Sequence, residues 1–161
     1  MQIKPFKAIY PDMGLVSSAD HFFSTVKEKF NDYLLSGYYE ELPNDGLFVC
    51  EIERAERSHL GLLASVDIRE YFKGNIKRHE KTLAASEQEQ ILRLLNRSAQ
   101  VKPVLLTHPT INEIETKLRE YKDRFPHFLE VPFETNGEVH RFWRIHDEAL
   151  IKELQLSLIH I

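Results

Sequence analysis

Residues 74–82 read Gly-Asn-Ile-Lys-Arg-His-Glu-Lys-Thr, and six of the nine carry groups able to bind an anion or move a proton. Lys77 and Arg78 suit phosphate oxygens, which a guanidinium meets as a fixed fork of donors and an ammonium as a point charge. Glu80 can accept the proton of an attacking hydroxyl, and Thr82 can hold a phosphate or an ion. The chemistry such a set would serve is phosphoryl transfer. No strong motif such as a Walker A loop is matched, so on pattern alone a solvated loop between two capped helices is the better interpretation.

Other residue types invite other chemistry. His140 and His146 stand six apart, yet no cysteine, carboxylate or third histidine accompanies them at ligand spacing, and Arg141 and Arg144 would repel a cation. His79 and Glu80 do not extend to a helical zinc motif, because position 83 is leucine. Cys50 lies among Phe48, Val49 and Ile52 and beside Glu51, which favours an inert, buried thiol over a nucleophile. Trp143, flanked by Arg141, Phe142 and Arg144, could stack a nucleobase, but on a hairpin one core face and one exposed face is the expected arrangement.

The elements that must position these groups follow from hydrophobic periodicity and turn chemistry. Residues 3–9 read as a proline-interrupted edge strand, followed by a turn at residues 11–14. Phe22, Val26, Phe30 and Tyr33 predict a helix over 19–36 that Gly37 ends. Strands at 47–54 and 60–66 are joined by a hairpin-length connection, and Asp67 caps a short helix that stops near Gly74. Ser86 with Glu89, and Thr110 with Glu113, have the spacing of capping boxes. The first opens a helix with Ile91, Leu92, Leu94, Leu95 and Ala99 on its apolar side, and residues 101–106 between the two suit a buried strand. Asn136 and Gly137 mark a hairpin between 128–134 and 138–145. Asp147 opens a helix to about Leu156, and residues 158–161 read as the start of another strand.

These elements predict an α+β domain over 1–161: a mixed, mostly antiparallel sheet with hairpins and four to five helices packed on it. At 161 residues and 42% hydrophobic the chain can bury about 70% of its unfolded surface. The net charge of -4, from 21 Lys and Arg against 25 Asp and Glu, disfavours nucleic acid and anionic membrane surfaces as partners. One cysteine permits no internal disulfide, no run approaches the ~18 apolar residues of a membrane span, and the N-terminus lacks a leader's apolar core. A cytoplasmic location is the expectation.

Residues 71–82, Tyr-Phe-Lys-Gly-Asn-Ile-Lys-Arg-His-Glu-Lys-Thr, resemble the most distinctive stretch of the domain of unknown function 1015 family. Ile3-Lys4-Pro5-Phe6-Lys7-Ala8, Lys102-Pro103-Val104-Leu105-Leu106 and His140-Arg141-Phe142-Trp143-Arg144-Ile145 resemble its other landmarks, in the right order. The stretch from Ser86 to Arg93 fits its pattern only in part, and the one between Pro11 and Ala19 looks shortened.

Family members continue into a strand and an Asp-Gly-His-His-Arg motif, absent here, so the resemblance implies the N-terminal portion of a longer protein carrying half of a two-part site. It also implies a remote similarity to the ParB/sulfiredoxin superfamily of nucleotide-binding partition proteins and a serine kinase. Carried over position by position, it points to His79 and Glu80 as catalytic and to Lys77, Arg78 and Thr82 as substrate- or phosphate-binding. The function so implied is a nucleotide-dependent phosphotransferase using ATP or ADP with magnesium. The alternative is a nucleotide-gated binding module without catalysis. A small-molecule or nucleotide ligand is the expected partner in both, and a homodimer through an exposed strand edge is the expected association.

Overall fold

Proline at position 5 has no N–H to give a ladder, and the first strand stops before it. The computed structural model describes residues 2–77, 84–100, 103–107, 109 and 111–158, and of residues 27, 84 and 85 the backbone alone. Strand β1 (Ile3–Lys4) is followed by β2 (Ile9–Pro11), and Asp12 then caps the expected turn, its carboxylate accepting the Gly14 N–H at 2.8 Å. Helix α1 (Ala19–Leu35) starts at Ser18, whose Oγ accepts from the His21 N–H, and it ends at Gly37 with φ +77°. Strand β3 (Tyr39–Glu41), which periodicity did not announce, returns antiparallel to β2.

Strands β4 (Leu47–Arg54) and β5 (Arg57–Leu63) form a hairpin whose turn is only Ala55 and Glu56, with Ala55 at φ 51°. The expected second strand is therefore longer at its start. It breaks at Ala64, so that β6 (Ser65–Val66) pairs instead with β1. Helices α2 (Ile68–Phe72), α3 (Ala84–Arg97) and α4 (Asn112–Arg124) come next. The hairpin of β7 (Leu129–Phe133) and β8 (Glu138–Ile145) and the closing helix α5 (Glu148–Ser157) complete the described chain. The main sheet has the order β5-β4-β8-β7, and every strand pairing described is antiparallel. The architecture is α+β, as the sequence pattern predicts.

One face of the sheet carries Leu47, Val49, Trp143 and Ile145 into the main core. Helix α4 brings Ile114, Leu118 and Tyr121 against them, an i, i+4, i+7 stripe, while α5 adds Leu154 and β1 adds Ile3. A second cluster gathers Phe22, Val26 and Phe30 of α1. Asp20 ties this helix to the sheet by accepting the backbone N–H groups of Glu134 at 2.8 Å and Thr135 at 3.2 Å.

Four sequence expectations are corrected. Residues 103–107 of the anticipated buried strand are irregular, with Val104 75% and Leu105 87% exposed; a strand needs a neighbour to pair with, and Pro103 withholds one donor. Residues 101 and 102 lie outside the described residues. Ser86 lies within α3 rather than at its cap, and Ile91, Leu92, Leu94 and Leu95 are exposed rather than buried. The N-cap of α4 is Ile111, which makes no side-chain capping bond, while Thr110 lies outside the described residues. Leu158 is not a strand residue but the buried C-cap of α5, its N–H donating to Leu154 O at 3.2 Å; residues 159–161 lie outside the described residues.

Candidate functional site

The approach to residues 74–82 is built by α2. Asp67 stands at its N-cap, accepting the Arg69 N–H at 2.9 Å, and hydrogen bonds from the Arg69 guanidinium hold its carboxyl well below the usual carboxylate range. At the other end the helix closes in a Schellman motif. Gly74, at φ +80°, donates to Tyr71 O at 3.1 Å, and Asn75 donates to Glu70 O at 3.0 Å. A positive φ is what lets the chain leave the helix axis here, and glycine adopts it without a Cβ penalty.

Glu70 then anchors the start of the loop. It is buried, and its carboxylate accepts Asn75 Nδ2 at 3.0 Å and faces Lys73 Nζ at 3.4 Å. The hydrogen bond from Asn75, followed by that from Lys73, keeps its carboxyl below the ordinary value. The Ile76 N–H reaches Glu70 O at 3.4 Å. Lys77 follows, exposed to solvent. Arg78, His79, Glu80 and Thr82 lie outside the described residues, so of the five candidate site residues the structure places Lys77 alone. Glu70 and Asn75 escaped sequence reasoning. Their signal was a carboxylate in the last turn of a five-residue helix, just ahead of a Gly-Asn pair.

A second polar cluster continues the core face of the sheet beyond its apolar end. Glu51 Oε1 accepts from Lys122 Nζ at 2.7 Å and from Ser58 Oγ at 2.8 Å. Arg141 bridges Glu53 at 2.5 Å and Glu130 at 2.6 Å, with Glu51 Oε2 at 3.7 Å. Burial would push the Glu51 carboxyl up, but the hydrogen bonds from Lys122 and Ser58 and the charges of Lys122 and Arg141 outweigh it, and the net shift is downward. These groups satisfy one another, so the cluster reads as a structural network that fixes β7, β8, β4 and α4 in register.

The remaining candidates resolve on geometry. Cys50 is half-buried, and burial followed by the neighbouring Glu51 charge pushes its thiol up to about 11, the opposite of a reactive thiolate. His140 lies 3.3 Å from Glu138 and packs on the Phe133 ring, whereas His146 is exposed beyond the end of β8. Among the described residues no group of three or more His, Cys, Asp or Glu is placed to hold a metal ion. Trp143 is buried in the core and donates Nε1–H to Phe125 O at 2.9 Å, so its ring offers no stacking platform. No helix among the described residues is long and apolar enough to cross a membrane.

The described residues define an α+β protein in which a short, doubly capped helix leads into residues 74–77. Residues 5–160 match the family described as protein of unknown function, DUF1015, and the chain belongs to that family. No curated protein and no solved structure matches it.

Proposed function

We propose that residues 74–82 form the phosphate-facing part of a nucleotide-dependent phosphotransferase site. The observation that carries the reading is the anchored entry to the loop. The Schellman turn at Gly74 and the bonds of Glu70 to Asn75 and Ile76 set the direction in which the chain leaves α2, with Lys77 at the surface. An anion-binding loop needs such a fixed stem, because donors held in place lose less entropy on binding. In this reading Lys77, Arg78 and Thr82 hold phosphate oxygens of ATP or ADP with magnesium. Glu80, with His79 beside it, takes the proton of a substrate hydroxyl as its oxygen attacks the terminal phosphorus. The bond from that phosphorus to the leaving nucleotide then breaks. The reading takes with it the remote similarity to the ParB/sulfiredoxin superfamily that the sequence resemblance implies. It takes a nucleotide and a small hydroxyl compound as ligands, in a cytoplasmic setting.

The test is thermal unfolding of the chain with ATP, ADP and CTP, with and without magnesium. A nucleotide at 100 times its Kd adds about 2.7 kcal/mol, roughly 5 to 10 °C in midpoint for a domain of this size. The expected result is a shift with one nucleotide that Lys77→Ala and Arg78→Ala abolish. Absence of any shift both in this chain and in a protein extended by the family's downstream segment, or a shift indifferent to both substitutions, overturns the assignment of residues 74–82. Because the resemblance implies a site completed by a downstream segment, transfer is measured on a protein extended by that segment, where Glu80→Gln should retain nucleotide affinity and lose phosphoryl transfer. Saturable binding with no transfer by the extended protein would favour the nucleotide-gated binding module instead.

A further inference from the structure

We infer that the groove between α1 and α3 binds a small zwitterion, a molecule carrying an ammonium and a carboxylate together. The groove holds about 400 Å³, at the small end of the range for ligand sites. Its two walls differ in charge. Glu28, Asn31 and Asp32 line it from α1, where Lys29 interrupts the helical dihedrals, and Arg93, Asn96 and Arg97 line it from α3. Residues four apart on a helix share a face, so α3 presents two half-buried arginines side by side. The buried Phe30 ring lines the groove as well, with the Arg97 guanidinium 5.8 Å from its centroid.

The opposed charges do not satisfy one another. Arg93 turns along its own helix to Glu89, and among the described residues the carboxylates of Glu28 and Asp32 take no hydrogen bond or ion pair. An acidic wall and a basic wall therefore face each other across the groove, and this arrangement selects the ligand. A simple anion approaching Arg93 and Arg97 meets the field of Glu28 and Asp32, and a simple cation meets the reverse, so each loses at one wall what it gains at the other. A zwitterion gains at both. Its ammonium donates to the α1 carboxylates, its carboxylate accepts from the α3 guanidiniums, and the Asn31 and Asn96 amides can serve either end. Both walls are open to water, so binding is in the millimolar range and weakens with salt.

Heteronuclear NMR titration of the isotope-labelled chain tests this, with glycine, β-alanine and γ-aminobutyrate as zwitterions of increasing length and with butyrate and butylamine as singly charged controls. The expected result is saturable shifts of amides around residues 28–32 and 93–97 with at least one zwitterion, and controls that bind at least about threefold more weakly. Replacing Glu28→Gln together with Asp32→Asn should weaken the zwitterion and strengthen butyrate, an inversion that a loss of packing does not produce. Both side chains are exposed, so the unfolding midpoint should stay as in the parent chain. Arg93→Gln should act in the opposite sense, weakening the zwitterion and strengthening butylamine. No saturable shift with any of the three zwitterions, butyrate or butylamine bound as tightly as they are, or an order of affinities unchanged in both variants overturns the assignment. The outcome is independent of nucleotide binding.

Discussion

Gly74 shows how one residue fixes the direction in which the chain leaves α2. A Cβ built there would meet no atom within 4 Å, so the position is not crowded, and only its φ of +80° requires glycine. Gly74→Ala should therefore cost about 1 kcal/mol through backbone strain alone, measured by urea unfolding. A cost above about 3 kcal/mol would mean that the turn supports more of the structure than α2. Asn75 acts beside it through its side chain, as a donor to a buried carboxylate. The glycine was legible in the sequence as a helix stop. The role of Asn75 was not, because nothing local in the sequence says that Glu70 is buried.

At the scale of elements, α4 holds the main core together through a stripe and a phenol. Leu118 is 4% exposed, and Tyr121 Oη donates to Arg144 O at 2.7 Å while accepting the His146 N–H at 3.1 Å. Leu118→Ala should destabilise by about 2–5 kcal/mol through the cavity it leaves. Tyr121→Phe should cost about 1–2 kcal/mol, since it strands a backbone donor and a backbone acceptor where β8 ends. Denaturant titration of both variants measures these losses, and a cost below about 1 kcal/mol for Leu118→Ala would contradict the packing. The expectation of two helices, opened at Ser86 and Thr110, fared unevenly for a related reason. Helical periodicity located α3 and α4, but periodicity says only that a face is apolar, and α3 turns that face outward.

Across the whole molecule, the described carboxylates with clear shifts all move the same way. The carboxyls of Asp20, Glu51, Asp67 and Glu70 lie below their ordinary values. Asp20 is held there first by Thr135 and Asp67 by Arg69; Glu70 is held by Asn75, and Glu51 by Lys122 and Ser58 against the effect of burial. A lowered folded-state value means that the unfolded chain binds more protons in acid. The stabilisation is therefore complete above the unfolded values near pH 4 and disappears as pH falls through the folded ones. The unfolding midpoint should be level above about pH 5.5 and decline steadily toward pH 3, with a shallower decline in Asp67→Asn. A midpoint that held or rose on acidification would refute the assignment.

What the sequence by itself determined is the set of features with short-range causes. The strand break at Pro5, the caps at Ser18, Asp67 and Asp147, the stops at Gly37 and Gly74, and the turn around Gly137 all arise within a few residues. So does the polar character of residues 74–82, which makes them the candidate site. Tertiary structure alone decided which apolar segments found partners. Ala64 breaks one predicted strand so that Val66 can pair with Ile3, and residues 103–107 stay outside the sheet. It also paired Glu51 with Lys122, 71 positions away. A hydrophobic run or a charge specifies that it wants a neighbour, and the identity of that neighbour is fixed only when the chain has closed on itself.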